Sequence, residues 1–135
     1  MDGNLIRKEK LSFAELEIGV RWIGDDIAVW VSGGDRPHIG CVVQAVPRMS
    51  LTGDGSRSAT SSVLNLTGHK DEFLCRELAE TICAATGRVT VCTGGFHCDG
   101  MTKKKIAEVV ETVKRIAGEL AGKLRTVKTS DKAEL

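Results

Sequence analysis

Apolar and polar positions alternate along residues 15–22. Leu16, Ile18, Val20 and Trp22 fall on one side, and Glu15, Glu17, Gly19 and Arg21 on the other. A period of two with one polar face marks a half-buried strand. Gly24, Asp25 and Asp26 form a turn, and the apolar pattern resumes over 27–31, which predicts a hairpin. A glycine-rich loop, GGDRPHIG, fills 33–40. A third strand over 41–46 ends at Pro47, a polar loop covers 48–58, and a fourth strand spans 59–66. Beyond Thr67, Gly68, His69 and Lys70 the period changes. Acidic Asp71 and Glu72 open a stretch in which Leu74, Leu78, Ile82 and Ala85 share one helical face, closed by Gly87. Residues 88–93 predict a fifth strand, and GGFHCDG, 94–100, a second glycine-rich loop. Thr102 suits an N-cap. Ile106, Val109, Val110, Val113, Ile116, Ala117 and Leu120 then form the stripe of a helix that runs to about residue 124.

The polar lead-in 1–10 and the aperiodic tail 125–135 are expected to be flexible ends of a single domain over 11–124. The order β-β-β-β-α-β-α predicts an α+β fold: a largely antiparallel five-stranded sheet with two helices on one face. The helix between strands four and five implies a crossover that makes those two strands parallel. If the first four strands form a meander, the loops after strands two, four and five emerge at one edge of the sheet. Those loops carry all three histidines, His38, His69 and His97, together with Asp35, Arg36, Lys70 and Asp99. Arg48 falls at the opposite edge.

Both helices begin at that shared edge, and their free N–H groups attract negative charge. Glycine-rich turns let backbone amides approach a ligand. Arg36 could fork onto a phosphate and Lys70 add a point charge. Lys103, Lys104 and Lys105 oppose the dipole of the last helix, a conflict that a bound anion relieves. Each feature also has a plain structural reading as a turn glycine, a hydrogen-bonded loop histidine or a solvated lysine. His38, His69, His97, Cys98 and Asp99 are zinc-ligand types, yet no pair has close ligand spacing. Neither GxSxG nor GxGxxG is present.

Composition narrows the choice. The 135 residues carry 19 basic and 18 acidic side chains, net +1, which disfavours a strongly cationic nucleic-acid binder. Aromatic residues make up 4% with no tyrosine, too few for a single-strand stacking platform. No apolar run approaches the ~18 residues of a membrane span. Five cysteines without a CxxC pair, behind a polar N-terminus, point to a cytoplasmic protein with reduced thiols.

Four segments together carry a resemblance. GGDRPHIG at 33–40, PR at 47–48, SATSSVLNLTGHKDEFLCRELAE at 58–80 and GGFHCDGMT at 94–102 resemble the prenylated-flavin chaperone LpdD-like family. The resemblance implies a proteasome-assembly-chaperone-like fold. It also implies an accessory role beside UbiD-type decarboxylases, such as gallate decarboxylase, whose cofactor is prenylated FMN. The small protein would bind or hand over prenylated FMN or FMN, or assist maturation of the catalytic subunit, without catalysing the reaction itself. Carried over, the cofactor-binding set is Gly34, Asp35, Arg36, Pro37, His38 and Gly40, then Gly68, His69 and Lys70, then His97, Asp99 and Thr102. Cys98 and Gly100 fall at variable positions, and Cys41, Cys75, Cys83 and Cys92 look like core fillers. A homodimer is expected. Two other readings stay open: an assembly or docking module with no small ligand, and a small metal- or histidine-dependent enzyme.

Overall fold

The computed structural model describes residues 4–66 and 71–127. Six strands and two helices follow in the order β1 (Asn4–Lys10), β2 (Glu15–Ile23), β3 (Asp26–Gly34), β4 (Cys41–Met49), β5 (Arg57–Asn65), α1 (Glu72–Thr86), β6 (Thr90–His97) and α2 (Lys103–Leu124). The strands form one sheet, ordered β1-β2-β3-β6-β4-β5. It is mixed: β3 and β6 pair in parallel, and the other four pairings are antiparallel.

The α+β class holds, with two helices layered on one face, but the sheet has six strands rather than five. The additional strand is β1, in the stretch expected to be a flexible lead-in. Its inward positions are Leu5, Arg7 and Glu9, opposite Val20, Ile18 and Leu16. Only the first is apolar, so the stretch shows no hydrophobic alternation. The two charged residues instead meet α2: Arg7 pairs with Glu119 at 2.9 Å and Arg115 with Glu9 at 3.2 Å. Charge on an edge strand also discourages pairing with foreign strands.

The expected meander is interrupted. β6 inserts between β3 and β4, so the first four predicted strands are not consecutive neighbours. Strand directions survive this change: β6 and β5 each run antiparallel to β4, so they point the same way as each other and as β3. The ends of β3, β5 and β6 therefore share one edge of the sheet. The end of β4 lies at the other, where Arg48 Nε donates to Thr60 Oγ1 at 2.7 Å.

One row of the inner face crosses the whole sheet in register: Leu5, Val20, Val29, Cys92, Val43 and Val63. Against it pack Leu74, Leu78 and Ile82 of α1, and Val113, Ile116 and Leu120 of α2. Gly87 ends α1 at φ 70°, and its N–H bonds the Cys83 carbonyl. Arg57 places its guanidinium on the Ala84 and Ala85 carbonyls, where a cation complements the helix dipole. Thr102 caps α2 by accepting from Lys105 N. All five cysteines are free and buried. Burial, reinforced by Cys75, pushes the Cys41 thiol up to about 12, and burial also drives Cys92 upward, so neither is a reactive thiolate. No helix among the described residues is long and apolar enough to cross a membrane.

Candidate functional site

GGDRPHIG and GGFHCDG come together at the shared edge, though not as two loops. β3 continues through Gly34 and β6 through His97, so both glycine pairs are strand residues. Gly34 pairs with His97 and Val31 with Gly94. A Cβ on Gly34 would lie 2.1 Å from the His97 carbonyl oxygen, so glycine here permits two backbones to touch. The connecting loop then clings to β6. Asp35 N donates to His97 O at 2.7 Å, and Gly40 N donates to Gly94 O at 2.9 Å.

Past Gly94, β6 has no further partner from β4. The carboxylate of Asp71 takes that place: Oδ1 accepts from Phe96 N at 2.9 Å. Its other oxygen meets His38 Nε2 at 3.0 Å, while His38 Nδ1 faces the Arg36 carbonyl at 2.9 Å. A carbonyl only accepts, so the Nδ1 proton is directed there. Both ring nitrogens are thus engaged by the protein. Asp71 is 4% exposed. Gly95 makes room for the pair, since a Cβ there would sit 2.6 Å from His38 Nε2 and 2.8 Å from Asp71 Oδ2.

A second polar chain lies outside this one. His97 Nε2 is 3.1 Å from Asp99 Oδ1, and Arg36 reaches Asp99 Oδ2 at 3.2 Å. Arg36 and Asp99 are exposed, and solvent screening leaves such a pair little energetic weight. The His97 hydrogen bond, followed by the Arg36 charge, holds the Asp99 carboxyl below its ordinary value of 3.8. A depressed carboxyl contributes fully above the unfolded value and loses its contribution as pH falls through the folded one. A carboxyl NMR titration should give Asp99 a midpoint below 3.8, moving upward in His97→Ala. A wild-type midpoint at or above the ordinary value would show that the contacts do not persist in solution.

Beside these groups opens a cavity of about 470 Å³. α1 contributes Phe73 and Leu74, α2 contributes Ile106, Val109 and Val110, and β6 with the segment after it contributes Phe96, His97, Cys98 and Met101. His38 and Asp71 complete the lining. Ligand sites commonly span about 300–1,000 Å³ and combine an apolar wall with a few fixed polar groups. This cavity has that size and make-up. Its aromatic and aliphatic side chains, beside a few fixed polar groups, are of the chemistry that packs on a flat ring system. Among the described residues no group of three His, Cys, Asp or Glu is placed to hold a metal ion.

The structure thus brings together Gly34, Asp35, Arg36, Pro37, His38, Gly40, His97 and Asp99. Of these only His38 and His97 line the cavity. Thr102 is engaged as a helix cap. Gly68, His69 and Lys70 lie outside the described residues. Sequence reasoning missed Asp71 as a site residue, because an acid before a helix reads as a dipole partner. It placed Ile106 and Val110 in the apolar stripe of the last helix without setting them apart, and both face the cavity.

A family model for the prenylated flavin chaperone LpdD-like domain matches residues 11–125. A search among curated proteins finds no matching sequence. The match runs from before β2 to the end of α2, so it includes β6 and both helices that line the cavity, and the chain belongs to the prenylated flavin chaperone LpdD-like family.

Proposed function

We propose that this protein is a non-catalytic chaperone that holds prenylated FMN, or FMN, in the cavity and passes it to a UbiD-type decarboxylase subunit. The observation that carries this reading is the cavity itself: open, mainly apolar, of flavin-compatible size, and lined by His38 of GGDRPHIG and by Phe96, His97 and Cys98 of GGFHCDG. When bound, the group supplies a flat ring system with an added hydrocarbon ring and a phosphate-ended side chain. The protein's own residues bind and orient it: Phe73, Phe96 and the α2 side chains offer apolar surface, and the His38–Asp71 pair fixes the shape of the polar end. The proposed binding set keeps Gly34, Asp35, Arg36, Pro37, His38, Gly40, His97, Asp99 and Thr102, with Gly68, His69 and Lys70 completing it. An accessory role suits a site in which the two described histidines, His38 and His97, are each tied to a carboxylate of the chain.

Titrating the protein with prenylated FMN and following flavin absorbance tests this reading. Saturable binding is expected. Phe73→Ala should weaken it about fivefold, the scale of one lost aromatic contact. Phe73 is 43% exposed, so the same variant should melt close to wild type. Unchanged affinity in Phe73→Ala would remove this cavity from the binding site. Mixing the loaded protein with cofactor-free decarboxylase subunit should then move the flavin spectrum to the larger partner on a sizing column.

The outer face of the sheet carries exposed Ile6, Val46 and Leu64, and neither of the described helices covers it. That surface supports the proposed homodimer. Light scattering should give twice the chain mass, and Leu64→Lys should lower it.

A further inference from the structure

We infer that the cavity takes the ring system of its ligand and leaves the anionic end outside, so that affinity comes from hydrocarbon and aromatic surface rather than from phosphate. This rests on the flavin reading above and deepens it by assigning which part of the ligand enters.

The first reason is the charge of the lining. Among the described residues the cavity wall contains neither Lys nor Arg, but it does contain the carboxylate of Asp71. Among the described residues, a phosphate inside would face that carboxylate with no Lys or Arg of the wall in contact, and a buried charge without a partner is strongly disfavoured. The second reason is that the polar wall is already engaged. Asp71 accepts from Phe96 N and meets His38, and His38 spans Asp71 and the Arg36 carbonyl. Satisfied groups offer an incoming anion little. The third reason is where cations stand. Arg36 lies outside the lining, held to Asp99. Lys103 and Lys104 are exposed in the turn before Ile106, and Lys105 sits over the Phe13 ring at 5.2 Å. A phosphate trailing from a ring bound against Ile106 and Val110 would meet these groups at the solvent-exposed start of α2, where charges are well screened.

The experiment compares prenylated FMN with its phosphatase-treated product, and FMN with riboflavin, by equilibrium titration. Each dephosphorylated ligand should bind within about threefold of its parent, and raising the salt concentration should change affinity by no more than that. Ile106→Glu puts a carboxylate into the wall. It should weaken all four ligands by about tenfold or more, while an acid in the first turn keeps α2 stable. Ile106→Gln, checked by thermal melting, controls for shape. If the phosphate-bearing flavins bind and dephosphorylation costs tenfold or more, the inference is overturned while the flavin reading stands. That result would turn attention to Lys70, which Lys70→Ala would test. If none of the four flavins binds, the flavin reading itself fails and the inference falls with it.

Discussion

Gly94→Ala is expected to cost about 3–5 kcal/mol of folding stability, combining backbone strain with a steric clash. Gly94 has φ of 141°, a conformation that side-chain-bearing residues rarely adopt. A Cβ added there would lie 1.7 Å from the carbonyl oxygen of Val31, its partner across the parallel β3–β6 pairing. Neither atom can turn away, because the oxygen is backbone and the place of a Cβ is fixed by the backbone that carries it, both in the middle of the sheet. Relief requires β3 and β6 to separate, and these strands hold the central row of the core. The site would suffer too, since the Gly94 carbonyl anchors Gly40 at the end of the histidine-bearing loop. Urea unfolding followed by tryptophan fluorescence gives the comparison. Gly100→Ala is the control: φ there is also positive, at 69°, but nothing lies within 4 Å of an added Cβ. It should cost about 1–2 kcal/mol, the penalty for a left-handed non-glycine residue. Equal losses at the two positions would mean that the approach of the two backbones is not what demands glycine at 94.

These glycines also show where sequence reading stops. Alternation at Leu16, Ile18 and Val20 exposes β2 directly, because one face is buried and the other wet. Helix limits at Gly87 and Thr102 are equally legible, since each is set by local backbone chemistry. Gly94 and Gly95 look like a turn, because the usual reason for paired glycines is local. Here the reason lies on β3 and on the loop before β4, both distant in sequence. β1 was hidden for a related cause. Arg7 and Glu9 find their partners about a hundred residues later, on α2. The convergence of His38 and His97 was legible because it depends only on strand direction, which the insertion of β6 leaves intact. Their ring centroids lie 6.5 Å apart. The cavity was not legible, because Ile106 and Val110 carry the same helical period as true core residues.

Asp71→Ala carries the second large expectation, a loss of about 2–4 kcal/mol, the scale for leaving a buried backbone N–H and a neighbouring ring nitrogen without their shared partner. The carboxylate joins three parts of the chain: the start of α1, the β6 backbone through Phe96 N, and the loop before β4 through His38. Removing it leaves the Phe96 N–H short of its acceptor and His38 without its carboxylate partner, in a region where water replaces them poorly. Asp71→Asn separates the two contributions. Its amide oxygen can still accept from Phe96 N, and its NH2 can donate to Nε2 of a neutral His38, so what the variant lacks is the charge of the carboxylate. It should therefore recover about half of the loss, with the charge gone and neutral hydrogen bonds retained. His38→Ala should fall near Asp71→Asn, and the double variant should lose much less than the sum of the singles, because the two residues form one unit. Additive losses in that cycle would show that Asp71 and His38 act separately. Flavin titration of the same set adds a second readout. If the pair shapes the cavity, Asp71→Asn should weaken binding of prenylated FMN at a temperature where the variant remains fully folded, and Arg36→Ala should change it less. The order would be reversed if the exposed Arg36–Asp99 chain, rather than the buried pair, were the part of the edge that meets the ligand.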